Sequence, residues 1–205
     1  MDGETDVSLR SQEDRREDRA PEELIGPGRL ILVVGPSGAG KDSVLRGARD
    51  RLAHDARYVF PRRSVTRPPS ADEDNLSLNE DAFVALIDAD AFALHWRAHG
   101  HRYGVPRAID TAIARGATVI CNVSRTVLDT ARLRYQHVTV VGITASRDVL
   151  AARIFGRARE SEDEATKRLD RAAALRSVRV DVEIDNGGAL DDAVTAFVAV
   201  VARPN

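Results

Sequence analysis

The chemistry in this sequence concentrates in one loop, Gly35-Pro36-Ser37-Gly38-Ala39-Gly40-Lys41-Asp42-Ser43. Glycines at this spacing let a backbone wrap a polyphosphate with successive N–H groups turned inward, and the lysine that ends the loop can reach the β- and γ-phosphates. A helix opening directly behind it adds the partial positive charge of its N-terminus. That is the chemistry of holding ATP for phosphoryl transfer. A glycine-rich turn that binds nothing would not need the lysine; the chain has only one other, Lys167, and its remaining cationic side chains are arginines. Asp42 stands where a Ser or Thr hydroxyl usually faces Mg²⁺, with Ser43 one place later. Two readings of Asp42 are open. It coordinates magnesium directly or through water, with Ser43 as a second metal ligand, because hard carboxylate oxygen suits that ion. Alternatively it caps the first turn of the helix.

A loop of this kind works only if rigid elements hold it. It follows Leu30-Ile31-Leu32-Val33-Val34, a continuous apolar run that reads as a strand buried on both faces, and it precedes helical spacing from Ser43 to Leu52. Apolar runs recur at Thr118–Val123 and Val138–Ile143, each followed by helical spacing, over Thr126–Tyr135 and Arg147–Phe155. Alternating strands and helices predict an α/β fold of the P-loop type, three layers deep, with a parallel central sheet. Between them the stretch Val65–Phe92, rich in Pro, Asp, Asn and Ser, breaks the rhythm and reads as an inserted acceptor-binding region. Glu160–Leu175 is intensely charged with helical spacing, and Gly187 introduces a closing helix over Ala189–Val201.

Residues 1–27 hold nine acidic and four Arg side chains and almost nothing apolar, so they are expected to form a disordered tail. Residues 28–205 are then one kinase domain, with the acceptor insertion at about 62–106 and a lid at about 153–175. The formal net charge of −2 leaves no basic field for a nucleic-acid backbone. No run approaches the roughly 20 apolar residues that cross a bilayer. The one cysteine, Cys121, lies in an apolar run and suits a reducing compartment. A cytoplasmic enzyme without nucleic-acid or membrane partners is expected, and a homodimer is left open.

Four segments together resemble the guanylate-kinase-like family, and within it the branch that acts on ribose 1,5-bisphosphate in phosphonate breakdown. They are Gly35–Ser43, Ser64-Val65-Thr66-Arg67-Pro68, Phe92–Pro106 with Trp96 and Tyr103-Gly104-Val105, and Asn122-Val123-Ser124-Arg125. The resemblance implies that Arg67 grips an acceptor phosphate, with Arg63 and Ser64 beside it and Arg125 near a second phosphate. Tyr103 then either hydrogen-bonds that phosphate or is a half-buried aromatic. Arg153 and Arg157, with Arg159, Arg168 and Arg171, match the family's lid and adenine side; the plain alternative is a surface helix of neutralising pairs. Lys41, Arg67, Arg153 and Arg157 form the implied catalytic set. Asp185-Asn186 falls near adenine by the same analogy, or is simply the start of an Asn-Gly turn. His95, His99 and His101 lack the companions of a zinc site.

Two departures from the family pattern bear on the acceptor. The loop after Arg67 is shorter, with Asn75 where a guanine-holding tyrosine would fall; Glu73 either keeps the acidic position or shares a solvated turn with Asp72 and Asp74. Asn122 and Ser124 stand where the family carries an aspartate near the metal, which leaves Asp42 to supply that charge. Both fit an acceptor without a base. The resemblance therefore implies transfer of the γ-phosphoryl group of ATP to the 1-phosphate of ribose 1,5-bisphosphate, giving 5-phosphoribosyl 1-diphosphate. A guanylate or other nucleoside-monophosphate kinase, and a non-catalytic guanylate-kinase-like binding module, are the alternatives.

Overall fold

The computed structural model describes residues 23–69, 74–155 and 179–204. Most of the expected tail, residues 1–22, lies outside them, as do Glu73, Arg157 and the charged stretch Glu160–Leu175. The first strand, β1 (Ile25–Val34), begins four residues ahead of Arg29, so Ile25–Gly28 belong to the sheet and not to the tail. Leu30 to Val34 are all buried, as a strand covered on both faces requires.

β1 is the centre of a five-stranded parallel sheet in the order β2–β7–β1–β8–β9, with β2 at Tyr58–Val59, β7 at Thr118–Asn122, β8 at Tyr135–Thr144 and β9 at Val182–Asp185. Alternation along β1 divides the core. Leu30, Leu32 and Val34 join Val105, Ile109, Ile113, Leu128 and Tyr135 on one face. Ile31 and Val33 join Val44, Ala48, Leu150, Phe197 and Val200 on the other. The helices that supply the helical residues among these are α1 (Lys41–Leu52), α3 (Ala108–Ala114), α4 (Leu128–Arg134), α5 (Arg147–Phe155) and α6 (Leu190–Val201), while Val105 and Tyr135 come from strands. Each fully buried aliphatic side chain contributes about 1.5–3 kcal/mol relative to exposure, and β1 carries five in a row.

A second, mixed sheet, β4–β3–β6–β5, is built from β3 (Arg63–Val65), β4 (Asn75–Ser77), β5 (Phe92–Ala98) and β6 (His101–Pro106), within the stretch expected as the insertion. Helix α2 (Glu80–Asp88) packs Phe83 on Phe92, with ring centroids 4.7 Å apart. Asn79 caps it, its side chain accepting from the Ala82 amide at 2.7 Å. The β5–β6 connection is the two-residue turn His99-Gly100, with φ of 51° and 77°; two successive positive φ values match the right-handed strand twist. The spacing of the three histidines therefore follows from a hairpin.

Arg29 secures the edge of the core. It is buried, and its guanidinium donates to the carbonyls of Val201, at 3.1 Å, and of Arg203, closing the C-terminus of α6, whose last carbonyls have no partner within the helix. Burial pulls its pKa down while the cation still serves as the helix cap. Replacing Arg29 with Met keeps the packing stem and removes the donors. The expected cost is about 2 kcal/mol from the stranded carbonyls, read in a thermal melt as a Tm lower by about 4–8 °C; an unchanged Tm would show that water takes over the cap.

Candidate active site

The phosphate loop leaves the C-terminal end of β1 where the chain order reverses from β7 on one side to β8 on the other, the crevice in which open α/β sheets bind ligands. Its shape depends on glycine at positions where the backbone is confined. Gly35 has φ +148°, and a Cβ there would lie 2.1 Å from the Ile143 carbonyl oxygen of β8. Gly40 has φ +81°, and a Cβ there would lie 2.4 Å from Nδ2 of Asn186. Ala39 is buried beneath the loop and its amide donates to the Pro36 carbonyl at 3.3 Å. Lys41 opens α1 and extends its Nζ back over the loop, donating to the carbonyls of Gly35 and Pro36 at 2.9 Å each.

Asn186, just past β9, is the loop's brace. It is 3% exposed, and its Nδ2 donates to the Ala39 carbonyl at 2.7 Å. Arg153 of α5 donates from Nη2 to the Asn186 carbonyl at 2.8 Å, and its Nη1 lies 3.8 Å from the Cβ position of Gly40. That Nη1 is buried and makes no hydrogen bond among the described residues. A guanidinium nitrogen with a spare donor against the phosphate loop fits an anion such as a nucleotide phosphate. Adenine contact and turn were both open for Asn186; its grip on the loop comes from long-range packing, which local sequence does not display.

At the other end of the loop, Gly40 is the N-cap of α1 and Asp42 is the acidic residue of its first turn. Asp42 accepts from Nδ2 of Asn122 at 3.0 Å. The Asn122 carbonyl in turn accepts from Nη1 of Arg63 at 3.0 Å. These residues border a cleft of about 230 Å³ lined also by Arg46, Arg49, Phe60, Asp74, Asn75 and Cys121. Asp42, Leu45, Arg46 and Arg49 are spaced i, i+3, i+4, i+7 and so form one face of α1; that periodicity was the signal by which Arg46 and Arg49 could have been found. Asp74 pairs with Arg49 at 3.2 Å and with Arg62 at 2.9 Å. The Arg49 guanidinium lies 5.7 Å from the centroid of Phe60, the one aromatic ring among the described lining residues. Burial pushes the Cys121 thiol up to about 12, so it is a protonated wall of the cleft at neutral pH, not a nucleophile.

Arg67 borders a second, smaller cleft with Arg62, Pro68, Pro69 and Ser77, and Asn75 is shared by both. Ser64 is buried on β3, paired with Gly104 of β6. Tyr103 is buried and stacked on Trp96, centroids 5.5 Å apart and planes 6° from parallel, which fits the aromatic reading. Arg125 lies in a 3₁₀ turn that Ser124 caps, and it lines neither cleft. The structure thus gathers Asp42 and Arg63 on one cleft with Arg67 on the next, folds Lys41 back on the phosphate loop, sets Arg153 beside Gly40, and holds Ser64 and Tyr103 within the second sheet.

Asn186→Ala tests the brace. The variant is expected to lose about 1–3 kcal/mol of stability through the unpaired Ala39 carbonyl and to show a smaller rise in Tm on adding ADP than the parent; an undiminished ADP response would mean the loop holds its shape without Asn186.

The sequence model of the guanylate kinase family matches residues 27–203. The chain is 56% identical over 165 residues to the ribose 1,5-bisphosphate phosphokinase of Rhodopseudomonas palustris, covering 80% of this chain and 84% of that protein. It is 51% identical over 173 residues to the enzyme of the same name from Methylobacterium radiotolerans, covering 84% and 97%. Among solved structures it resembles guanylate kinase from Anaplasma phagocytophilum with a TM-score of 0.62 over 87% of this chain and 85% of that one, at 18% identity, a likeness of fold. A P-loop on a five-stranded parallel sheet, the mixed second sheet beside it and these matches place the chain together: it belongs to the guanylate kinase family.

Proposed function

We propose that this protein transfers the γ-phosphoryl group of ATP to the 1-phosphate of ribose 1,5-bisphosphate, forming 5-phosphoribosyl 1-diphosphate and ADP. The observation that carries this reading is the cleft beside the phosphate loop. Among the described residues it is walled by Arg46, Arg49 and Arg63 and by the polar groups of Asp74 and Asn75, and its one ring, Phe60, has a guanidinium over it. Such a lining suits phosphates and hydroxyls better than a flat base. The relatives named as ribose 1,5-bisphosphate phosphokinases support the same acceptor.

In this reading the loop amides, Lys41 and the spare Nη1 of Arg153 hold the ATP phosphates. Asp42 and Ser43 offer hard oxygen for Mg²⁺, which when bound neutralises charge on the β- and γ-phosphates. Arg63 and Arg67 orient the acceptor, with Ser64, Tyr103, Arg125 and Glu73 assigned to the same role by family resemblance and Arg157 to the donor side. An oxygen of the 1-phosphate attacks the γ-phosphorus, a new P–O bond forms as the β–γ bridge breaks, and ADP departs with the bridging oxygen. The acceptor is already a phosphate dianion at neutral pH, so the protein supplies alignment and positive charge and needs no strong base. A reducing cytoplasm suits the buried free thiol of Cys121.

A coupled ADP-release assay with ATP and Mg²⁺, comparing ribose 1,5-bisphosphate with GMP, tests the proposal. The sugar bisphosphate is expected to win by about a hundredfold or more in kcat/KM, and Lys41→Met to lower kcat by about 10²–10³. Preference for GMP would make this a guanylate kinase in activity as well as family, and turnover with neither acceptor would favour a binding module.

A further inference from the structure

We propose that Asn122 is a positioning residue that ties the donor side of the site to the acceptor side, and that the Asp42–Asn122 pair accommodates one carboxylate and not two. Asn122 ends β7 in register with Val33 of β1, so it stands beside the start of the phosphate loop. Its side chain and its main chain each hold a different partner. The side-chain amide donates to Oδ1 of Asp42 on α1, at 3.0 Å, and the backbone carbonyl accepts from Nη1 of Arg63 on β3, also at 3.0 Å. Asp42, Asn122 and Arg63 all line the same cleft. One residue of the central sheet therefore contacts both the acidic group that follows Lys41 and the arginine of the second sheet.

The amide is needed because it can donate. A free Asp42 side chain would sample several rotamers; accepting from Asn122 holds one of them, so its remaining oxygen is aimed before any ligand arrives. An aspartate at 122 would instead set two carboxylates about 3 Å apart in a partly buried cleft, where like charges repel strongly. Exchanging the two residues restores a donor facing a carboxylate with the polarity reversed. The Arg63 contact uses the main chain and survives every substitution of the Asn122 side chain, so the two halves of the tie are separable by mutation. The inference rests on the donor-loop reading above for its catalytic meaning, but the pairing itself is a property of the ligand-free protein.

Three variants test it: Asn122→Ala, Asn122→Asp, and the exchange Asp42→Asn with Asn122→Asp. In thermal melts without nucleotide or metal, Asn122→Asp is expected to lower Tm by about 3 °C, and the exchange to return it close to the parent. In turnover, Asn122→Ala is expected to lower kcat by about tenfold with little change in the KM for ATP, and to raise the Mg²⁺ concentration needed for half the maximal rate. The proposal is overturned by an Asn122→Asp protein that melts like the parent, by an exchange that restores nothing, or by an Asn122→Ala enzyme with parental kcat and Mg²⁺ dependence. If the parent itself turns over no acceptor, the kinase reading fails, while the melts still decide whether the pair exists.

Discussion

The contact on which the rest of this molecule depends is the approach of the Gly35 backbone to the Ile143 carbonyl across β1 and β8. No side chain fits there, since a Cβ would come within 2.1 Å of that oxygen. The closeness is possible because β1 is central and buried on both faces, with its neighbours in fixed parallel register. A loop seated this tightly can present its amides without reorganising at the moment of reaction, which is what electrostatic catalysis of phosphoryl transfer requires. Asn186, just past β9, extends the same constraint by holding Ala39, and Arg153 of α5 in turn holds Asn186.

Charge is then distributed around the loop with little excess. Among the described residues the cleft beside α1 holds three arginines and two aspartates, and Asp74 is shared between Arg49 and Arg62. Partial neutralisation keeps clustered guanidiniums from repelling one another while leaving their planar forks on the cleft. The acidic group adjoining Lys41 is handled in the same way, by an amide donor from Asn122. Fold and acceptor chemistry are separable here. The likeness to a guanylate kinase structure at 18% identity is carried by the sheet and its helices, whereas relatives near half-identical share the name of a sugar-bisphosphate kinase.

Much of this was legible in the sequence because it follows from local rules. The run Leu30–Val34, the glycine spacing of the loop, the single nearby lysine and the helix from Arg147 to Phe155 each declare themselves within a dozen residues. Where the sequence reading stopped short, the missing information was non-local. The start of β1 at Ile25 was obscured by Gly26-Pro27-Gly28, residues that usually break strands, and is decided by pairing with β8. Tyr103 stacks on Trp96 across the hairpin, a neighbour that only strand pairing supplies.

The sequence by itself determined that a phosphate loop follows a buried strand in an α/β fold, because glycine conformations, apolar runs and helical periodicity act over short stretches of chain. Only the tertiary structure decided that Asn186 braces that loop, that Arg46 and Arg49 share the cleft with Arg63, and that Asp42 faces Asn122. Those partners lie 147, 59 and 80 residues apart for the Asn186–Ala39, Arg63–Asn122 and Asp42–Asn122 contacts. They meet because parallel strands with crossover helices bring the ends of distant segments to one edge of the sheet, and no local pattern of residue types encodes which ends will touch.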